Sequence, residues 1–300
     1  RQQPMTLAGR FAPSPTGPLH MGSLITALAS YLDIRQQGGE WFVRIDDLDP
    51  PRQDPNALGL ILRTLEAHGL KGDRAVDYQS HHQPRYQDAF GQIENQVFYC
   101  TCTRKALASL SIYPGSCREH TTLRPDSAVR IRAGGPTFNV TDRIQGTHSW
   151  RPEKDVGDFI VKRRDGLWAY NFATAVDDGS DVSHVVRGAD LFHVTPQQIY
   201  MMSRLGLEPP SYCHLPVLCF PDGSKLSKQT HAPALNDLEA PKNLHQAMTY
   251  MGMQPPDQAD WQTNQWLAWG MEHWHLAAVP HTLKPYKPGE ISLNYTARPT

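Results

Sequence analysis

"RFAPSPTGPLHMGSLITAL", residues 10–28, places Pro13, Pro15 and Pro18 together with Gly17 and Gly22 around the start of a helical run. Apolar residues recur at Leu24, Ile25, Leu28 and Leu32, the spacing of one helix face. Arg10-Phe11-Ala12 reads as the end of a strand, Gly38-Gly39 stops the helix, and "WFVRI" (41–45) follows as a short buried strand. Strand, loop, helix and strand in that order open a βαβ unit, which predicts an α/β fold. Within the loop the prolines hold an extended path, and Gly17 permits a turn or a close backbone approach. The helix start offers free N–H groups and a partial positive charge to a phosphate, His20 can donate to a phosphoryl oxygen, and Gly22 carries no side chain to hold a flat ligand away. The same residues also describe an ordinary strand-to-helix connector, and the loop by itself decides nothing more.

Outward from this unit, Asp54-Pro55 predicts an N-cap and first helical residue, followed by an apolar face at Leu58, Ile61, Leu62 and Leu65. Cys100 to Cys117 is loop-rich. "AVRIR" (128–132) and "DFIVKR" (158–163) read as strands, and "RRDGLWAYNFA" (163–173) reads as a hairpin turning at Asp165-Gly166. "VSHVVRGADL" (182–191) returns to β character. "TPQQIYMMSRLG" (195–206) predicts a helix with a Thr195–Gln198 capping box, Pro196 at its first position and Gly206 past its end. Residues from about 235 are helical in pattern and hold four of the chain's seven tryptophans. The expected organisation is an α/β domain in two halves, 1–97 and 173–234, split by an insertion of mixed, mostly β structure over 98–172. A helical part over 235–280 and an aperiodic tail over 281–300 complete it.

Composition fits a soluble globular protein of one large or two medium domains: 300 residues, 39% hydrophobic and 20% charged. The sequence has no apolar run long enough to span a membrane, and Gln2 to Gly9 lacks the basic start and apolar stretch of a signal peptide. Met5 is a candidate initiator. Five cysteines argue against a disulfide framework and for a reducing, cytoplasmic compartment. With a net charge of −1, a nucleic acid partner must be met by a local basic patch.

A second chemistry-bearing stretch is "GSKLSKQ" (223–229), two lysines flanking a serine in a glycine-led loop. It suits either an exposed basic loop or a clamp on a leaving polyphosphate. A third is Cys100, Cys102, Tyr113 and Cys117, three thiols and a phenol close in sequence. Buried free thiols and a metal site are both open readings, since C-x-C is a weaker signal than paired C-x-x-C and tyrosine is an uncommon zinc ligand.

Taken together these stretches resemble a known family. "PSPTGPLHMGS" (13–23) resembles the HIGH signature of class I aminoacyl-tRNA synthetases, with His20-Met21-Gly22-Ser23 in its place, and "KLSK" (225–228) resembles their KMSKS loop. "RFAPSPTG" (10–17), "RIDDLDPPR" (44–52), "AYNFATAVDD" (169–178) and "VVRGADL" (185–191) are similar to glutamyl-tRNA synthetase sequence over residues 10–230. The resemblance implies a Rossmann-like catalytic domain with a zinc-containing mixed α/β insertion and a short helical C-terminal part. It implies attack of a glutamate carboxylate on the α-phosphate of ATP, with Mg2+ accompanying the nucleotide. By motif position, His20 and Lys228 would stabilise the transition state with help from Lys225, and His20, Gly22, Ser23 and Lys228 would bind ATP. Arg10, Phe11, Ala12, Pro13, Ser14, Asp46, Tyr170 and Arg187 match positions around the glutamate. Many relatives carry Glu where this chain has Asp46, whose shorter arm would need a water bridge or a shifted backbone. Cys100, Cys102, Tyr113 and Cys117 match a Cys-Cys-Tyr-Cys site for one structural Zn2+; Cys213 and Cys219 would be core thiols.

About seventy residues follow the KLSK loop, too few for a long helical anticodon-binding region. The chain therefore resembles a truncated branch of this family that activates glutamate without tRNA. That branch then esterifies it onto the cyclopentene diol of queuosine at the wobble position of tRNA(Asp). The surface that would hold an acceptor end would receive an anticodon loop, with Arg130, Arg132, Lys162, Arg163 and Arg164 as candidate phosphate contacts. A catalytic fragment of an ordinary glutamyl-tRNA synthetase and a catalytically silent tRNA-binding paralogue are the competing readings. A monomer is expected.

Overall fold

The computed structural model describes residues 6–280; Met5 and the expected tail over 281–300 lie outside the described residues. The opening unit forms as its pattern predicts. Strand β1 (Ala8–Phe11) runs through the proline loop into helix α1 (Met21–Gln36), and β2 (Glu40–Ile45) returns parallel to β1 with Phe11 opposite Val43. Helix α2 (Ala57–Ala67) begins later than the Asp54-Pro55 pair predicts. Asn56 occupies the N-cap position, and the Asp54 carboxylate accepts the Asn56 N–H at 3.0 Å within the preceding turn.

The remaining elements, in chain order, begin with β3 (Asp77–Tyr78), α3 (Gln83–Ile93), β4 (Val97–Cys100) and the single turn α4 (Arg104–Leu107). Strands β5 (Ala128–Ile131), β6 (Phe138–Asp142), β7 (Gly146–Trp150) and β8 (Phe159–Lys162) come next. Then follow α5 (Tyr170–Asp181), β9 (His184–Gly188), α6 (Thr195–Arg204), β10 (Ser211–Leu215), α7 (Ala240–Tyr250) and α8 (Thr263–His273).

Among the described residues, seven strands make one sheet in the order β3-β2-β1-β9-β10-β6-β7, parallel except for β7. The order reverses between β1 and β9. In an open parallel sheet that switch point leaves a crevice at the carboxyl ends of the two strands, where ligands bind. A smaller sheet, β4-β5-β8, is antiparallel. The hairpin β6–β7 lies within the span 98–172 by sequence but is bonded to β10 of the large sheet.

Two predicted details differ. Asp165-Gly166 turns a short hairpin, with Gly166 at a φ of +84°, in which Lys162 pairs with Trp168 and backbone bonds join Arg163 to Leu167 and Ala169 to Val161; it ends early, since from Tyr170 the chain is helical. Thr195 opens α6 without forming the predicted capping box. Its hydroxyl is held instead by the Leu191 carbonyl four residues back and by the side chains of Arg187 and His214, which outcompete the predicted cap.

Helix α1 is buried around most of its circumference, with Leu24, Leu28 and Leu32 at most 1% exposed. One side faces the sheet; α7 and α8 cover the other, where Leu32 meets Gly270 and Trp274 donates its indole N–H to Asp33 at 3.1 Å. Cys213 is in this core as expected, whereas Cys219 is only half-buried, its thiol against the Val217 carbonyl.

Candidate active site

A cavity of about 500 Å³ opens at the switch point, beyond the carboxyl ends of β1, β9 and β10. The chain leaving β1 supplies Arg10, Phe11, Ala12, Pro13 and Ser14; the start of α1 supplies His20, Gly22 and Ser23; the end of β9 supplies Arg187. Lys225 closes the far wall and Tyr170 one end. The structure thus brings to one cavity residues spread over more than two hundred sequence positions. Lys228 opens a short 3-10 turn beside the Lys225 wall, and its side chain lies outside the described residues.

His20 is the N-cap of α1. Its Nδ1 accepts the Ser23 N–H while Ser23 Oγ accepts the His20 N–H, both at 3.4 Å. This reciprocal cap fixes the tautomer: with Nδ1 accepting, the ring proton sits on Nε2 as a donor. Burial, with the Lys225 ammonium as a second cause, holds the imidazole down to about 4, so the ring is neutral at pH 7. Gly22 has an added role. A Cβ there would lie 3.0 Å from His20 Cε1, so the bare glycine makes room for the ring itself.

The two expected arginines differ. Arg10 donates Nε and Nη2 to Asp178 at 3.0 and 2.8 Å, so most of its fork is already committed. Arg44 donates to the same carboxylate at 2.7 Å and to Asp46 at 2.8 Å. Burial opposes ionisation of Asp178, but the two guanidiniums outweigh it and hold the carboxyl below the usual carboxylate range. Arg187 is as buried as Arg10, at 3% exposure, and among the described residues it makes no ion pair. Nε and Nη2 are bonded to His214 and Thr195, and Nη1 is buried without a partner. Arg187 thus presents a buried cation with one unused donor at the cavity wall, an arrangement whose chemistry suits an anion.

The Asp46 carboxylate turns to Arg44, two residues back on the same face of β2, and borders an adjoining cavity of about 220 Å³ that Ser14 and Tyr170, two of the other expected glutamate positions, also line. Tyr170, 41% exposed, lines both cavities and joins them. Tyr170 also borders a third, wider cleft, whose rim carries Arg52, Arg104, Arg130 and Arg163. The five expected phosphate contacts already have partners. Arg130 lies over the Tyr113 ring and donates to the Asp158 carbonyl, and Arg132 donates to the Arg118 carbonyl. Lys162 sits over Trp168, Arg163 pairs with Asp49 and Asp165, and Arg164 pairs with Asp126. Sequence reasoning gave no site role to Arg44, Asp178, Asp142 or His214, and read Thr195 only as a helix cap. The adjacent acids Asp177-Asp178, following the apolar Ala175-Val176 in α5, were the one available signal.

Beyond the sheet end, Cys100, Cys102, Cys117 and Tyr113 converge. The three sulfurs lie within 4.8 Å of one another, with Cys102 and Cys117 3.6 Å apart. The Tyr113 oxygen is 3.5 Å from Cys100 and 3.7 Å from Cys102. Four donors around a tetrahedral ion with metal–sulfur bonds of about 2.3 Å have edges of about 3.8 Å, so these four fit one small metal ion. The Cys117 N–H donates to the Tyr113 oxygen at 2.9 Å; burial and the neighbouring thiols outweigh that bond and hold the phenol above its ordinary value in the metal-free protein.

Residues 6–111 and 109–266 match the family described as "tRNA synthetases class I (E and Q), catalytic domain". Proteins named "Glutamyl-Q tRNA(Asp) synthetase" are similar along nearly their whole length. That of Pseudomonas fluorescens is 43% identical over 92% of this chain and 94% of its own, and that of Thiobacillus denitrificans 45% over 92% and 96%. The fold matches crystal structures of a glutamate tRNA ligase from Elizabethkingia meningosepticum (TM-score 0.74, 21% identity) and a glutamate-tRNA synthetase from Elizabethkingia anophelis (0.73, 22%). The match covers 91% of this chain and 66% of each of those. The switch-point cavity, its capped helix and its basic wall are accordingly those of an enzyme of the ligase class: the chain belongs to the class I tRNA synthetase family, in the branch of the glutamate and glutamine enzymes.

Proposed function

We propose that the large cavity joins glutamate to ATP and that the product is passed to queuosine at the wobble position of tRNA(Asp). The observation that carries the amino-acid reading is Arg187, a buried cation whose free Nη1 lacks an anion. A dicarboxylate amino acid supplies that charge. In the first step a glutamate α-carboxylate oxygen attacks the α-phosphorus of ATP, the bond to the β-phosphate oxygen breaks, and pyrophosphate departs with that electron pair. The carboxylate is already ionised, so no general base is required. The neutral His20 Nε2–H, the open N–H groups of α1 and the lysines of the 225–228 loop stabilise the charge that builds on the phosphoryl oxygens. Mg2+ enters with the nucleotide. In the second step a queuosine hydroxyl attacks the activated carbonyl, AMP leaves, and the hydroxyl proton passes to solvent.

The smaller cavity beside Tyr170 and the arginine-rimmed cleft support approach of the acceptor from the side of the small sheet. The names of the relatives favour an anticodon nucleoside over a tRNA 3′ end as acceptor. Glutamate-dependent exchange of pyrophosphate into ATP is expected without tRNA, followed by transfer of labelled glutamate to tRNA(Asp) bearing queuosine and not to the same tRNA lacking it. No exchange under any condition would sink the enzyme reading, and transfer to tRNA(Glu) would overturn the acceptor.

The donor set Cys100, Cys102, Tyr113 and Cys117 would hold one zinc ion, which would tie β4 to the loop before β5 and take no part in the chemistry. Four protein donors leave no open coordination position. About one zinc per chain is expected, lost on Cys117→Ser; a native preparation free of metal would remove this assignment.

A further inference from the structure

Arg187 is held in an unusual way for a buried guanidinium. Among the described residues no carboxylate pairs with it; its Nε donates to the Nε2 of His214 at 3.0 Å, and its Nη2 donates to Thr195 Oγ1 at 2.8 Å. For Nε2 to accept, the ring proton must sit on Nδ1, and Nδ1 lies 2.6 Å from Asp142 Oδ2. All three partners are buried, His214 and Thr195 wholly so. Asp142 is itself immobilised. It accepts the backbone N–H groups of Ile144 and Gln145 in the β6–β7 turn and that of His214 on β10.

We infer that Asp142 and His214 form a positioning relay that keeps Arg187 aimed at the cavity without a directly paired carboxylate, and so sets selection for glutamate over its uncharged amide. A neutral acceptor orients a guanidinium as well as a carboxylate does, without cancelling its charge. A carboxylate in the place of His214 would satisfy Arg187 internally and remove its demand for an anionic ligand. Asp142 supplies the orientation one step further away: its charge favours the Nδ1–H tautomer, the one form of a neutral ring that leaves Nε2 free to accept. The relay also explains why a hairpin lying by sequence within the inserted span is bonded to the large sheet, because β6 must bring Asp142 beneath β10. Thr195 completes the cradle: its hydroxyl accepts from Arg187 Nη2 and stands 3.0 Å from both the Leu191 carbonyl and His214 Nε2, two acceptors for its one proton.

The inference rests on glutamate being the ligand at Arg187, and its tests separate the two. In the wild-type protein, nitrogen-15 spectra of histidine should show His214 as a neutral Nδ1–H ring with an accepting Nε2. An Nε2–H ring or an imidazolium would overturn the relay whatever the ligand proves to be. In exchange assays, His214→Leu should raise the KM for glutamate about tenfold or more, the loss of one hydrogen bond to a charged group, with kcat and the KM for ATP little changed. His214→Gln, which restores a neutral acceptor, should recover most of that loss. The ratio of glutamate to glutamine use should fall in the leucine variant and return in the glutamine variant. Equal glutamate KM values in the two variants, or a fall in kcat with KM unchanged, would overturn the proposal. Absence of exchange in the wild type would instead remove the proposed function and leave the tautomer result standing.

Discussion

Asp178→Asn should destabilise the folded protein by about 3–5 kcal/mol, the cost of leaving buried charge uncompensated. Asparagine has the shape of aspartate, so packing in α5 is retained and the loss is electrostatic. Asp178 has no solvent exposure and faces both Arg10 and Arg44, themselves buried. Without its charge, Arg44 keeps Asp46 and Arg10 keeps no carboxylate. Thermal or urea denaturation measures the change, with a fall in Tm on the order of 10 °C for a chain of this size. The pH dependence has a definite sign. Asp178 is held below its unfolded value of about 3.9, so its contribution is fully present above that pH and is lost as pH falls through the folded value. The gap between wild type and variant should therefore be constant from about pH 6 to 8 and close only in acid. A gap under about 1 kcal/mol at pH 7 would mean that the network is solvated rather than buried.

His20→Ala should lower glutamate-dependent pyrophosphate exchange by about 10²–10³, the usual loss when one preorganised donor to a developing charge is removed. It should also cost about 1 kcal/mol of stability, because the ring caps α1 through Nδ1. His20→Asn separates the two effects. Asparagine caps a helix well but is too short to present a donor where Nε2 stands, so stability should return while exchange stays low. Because burial and Lys225 keep the ring neutral down to about 4, exchange should show no histidine-like loss between pH 8 and 5 attributable to this residue. The unfolded ring takes up its proton near 6.5, so His20 instead makes folding progressively less favourable as pH falls from there toward 4. An exchange rate in His20→Ala within about threefold of wild type would exclude the ring from the phosphoryl step.

What could be read from the sequence was what is local. The strand, proline loop and helix around residues 8–36 are encoded by period, breakers and cap within one stretch, and they form as read. The two lysines of the 225–228 loop and the Cys-Cys-Tyr-Cys set are legible for the same reason: each group is contiguous or nearly so. The charged scaffold behind the cavity was not legible. Arg10 and Asp178 are 168 positions apart, and Asp142 and His214 are 72 apart; no periodicity links them, and only the sheet order brings them together. Local rules failed where tertiary contacts offered the same group something better. Thr195 makes a good capping residue by type, yet its hydroxyl serves Arg187. The stretch after Gly166 has the turn chemistry of a hairpin, but Phe172, Ala173 and Ala175 are fully buried in the second core and pull the chain into α5 instead.

The enclosure of α1 has a consequence for motion. His20 and its neighbours stand on a helix whose far side is sealed by α7 and α8, so the phosphate-facing loop hangs from a part of the fold that opens only when the C-terminal helices detach. Amides along Leu24 to Leu32 therefore belong to the last region to exchange with solvent, near the free energy of global unfolding. The loop on the opposite wall, around residues 221–231, is more exposed at its tip, where Pro221, Asp222 and Gly223 face solvent, while Leu226 anchors it in the main core and Lys225 pairs with Asp190. The cavity thus has one wall built on a sealed helix and one on a loop pinned at Leu226 and Lys225, so amides at the loop tip should exchange long before those of α1.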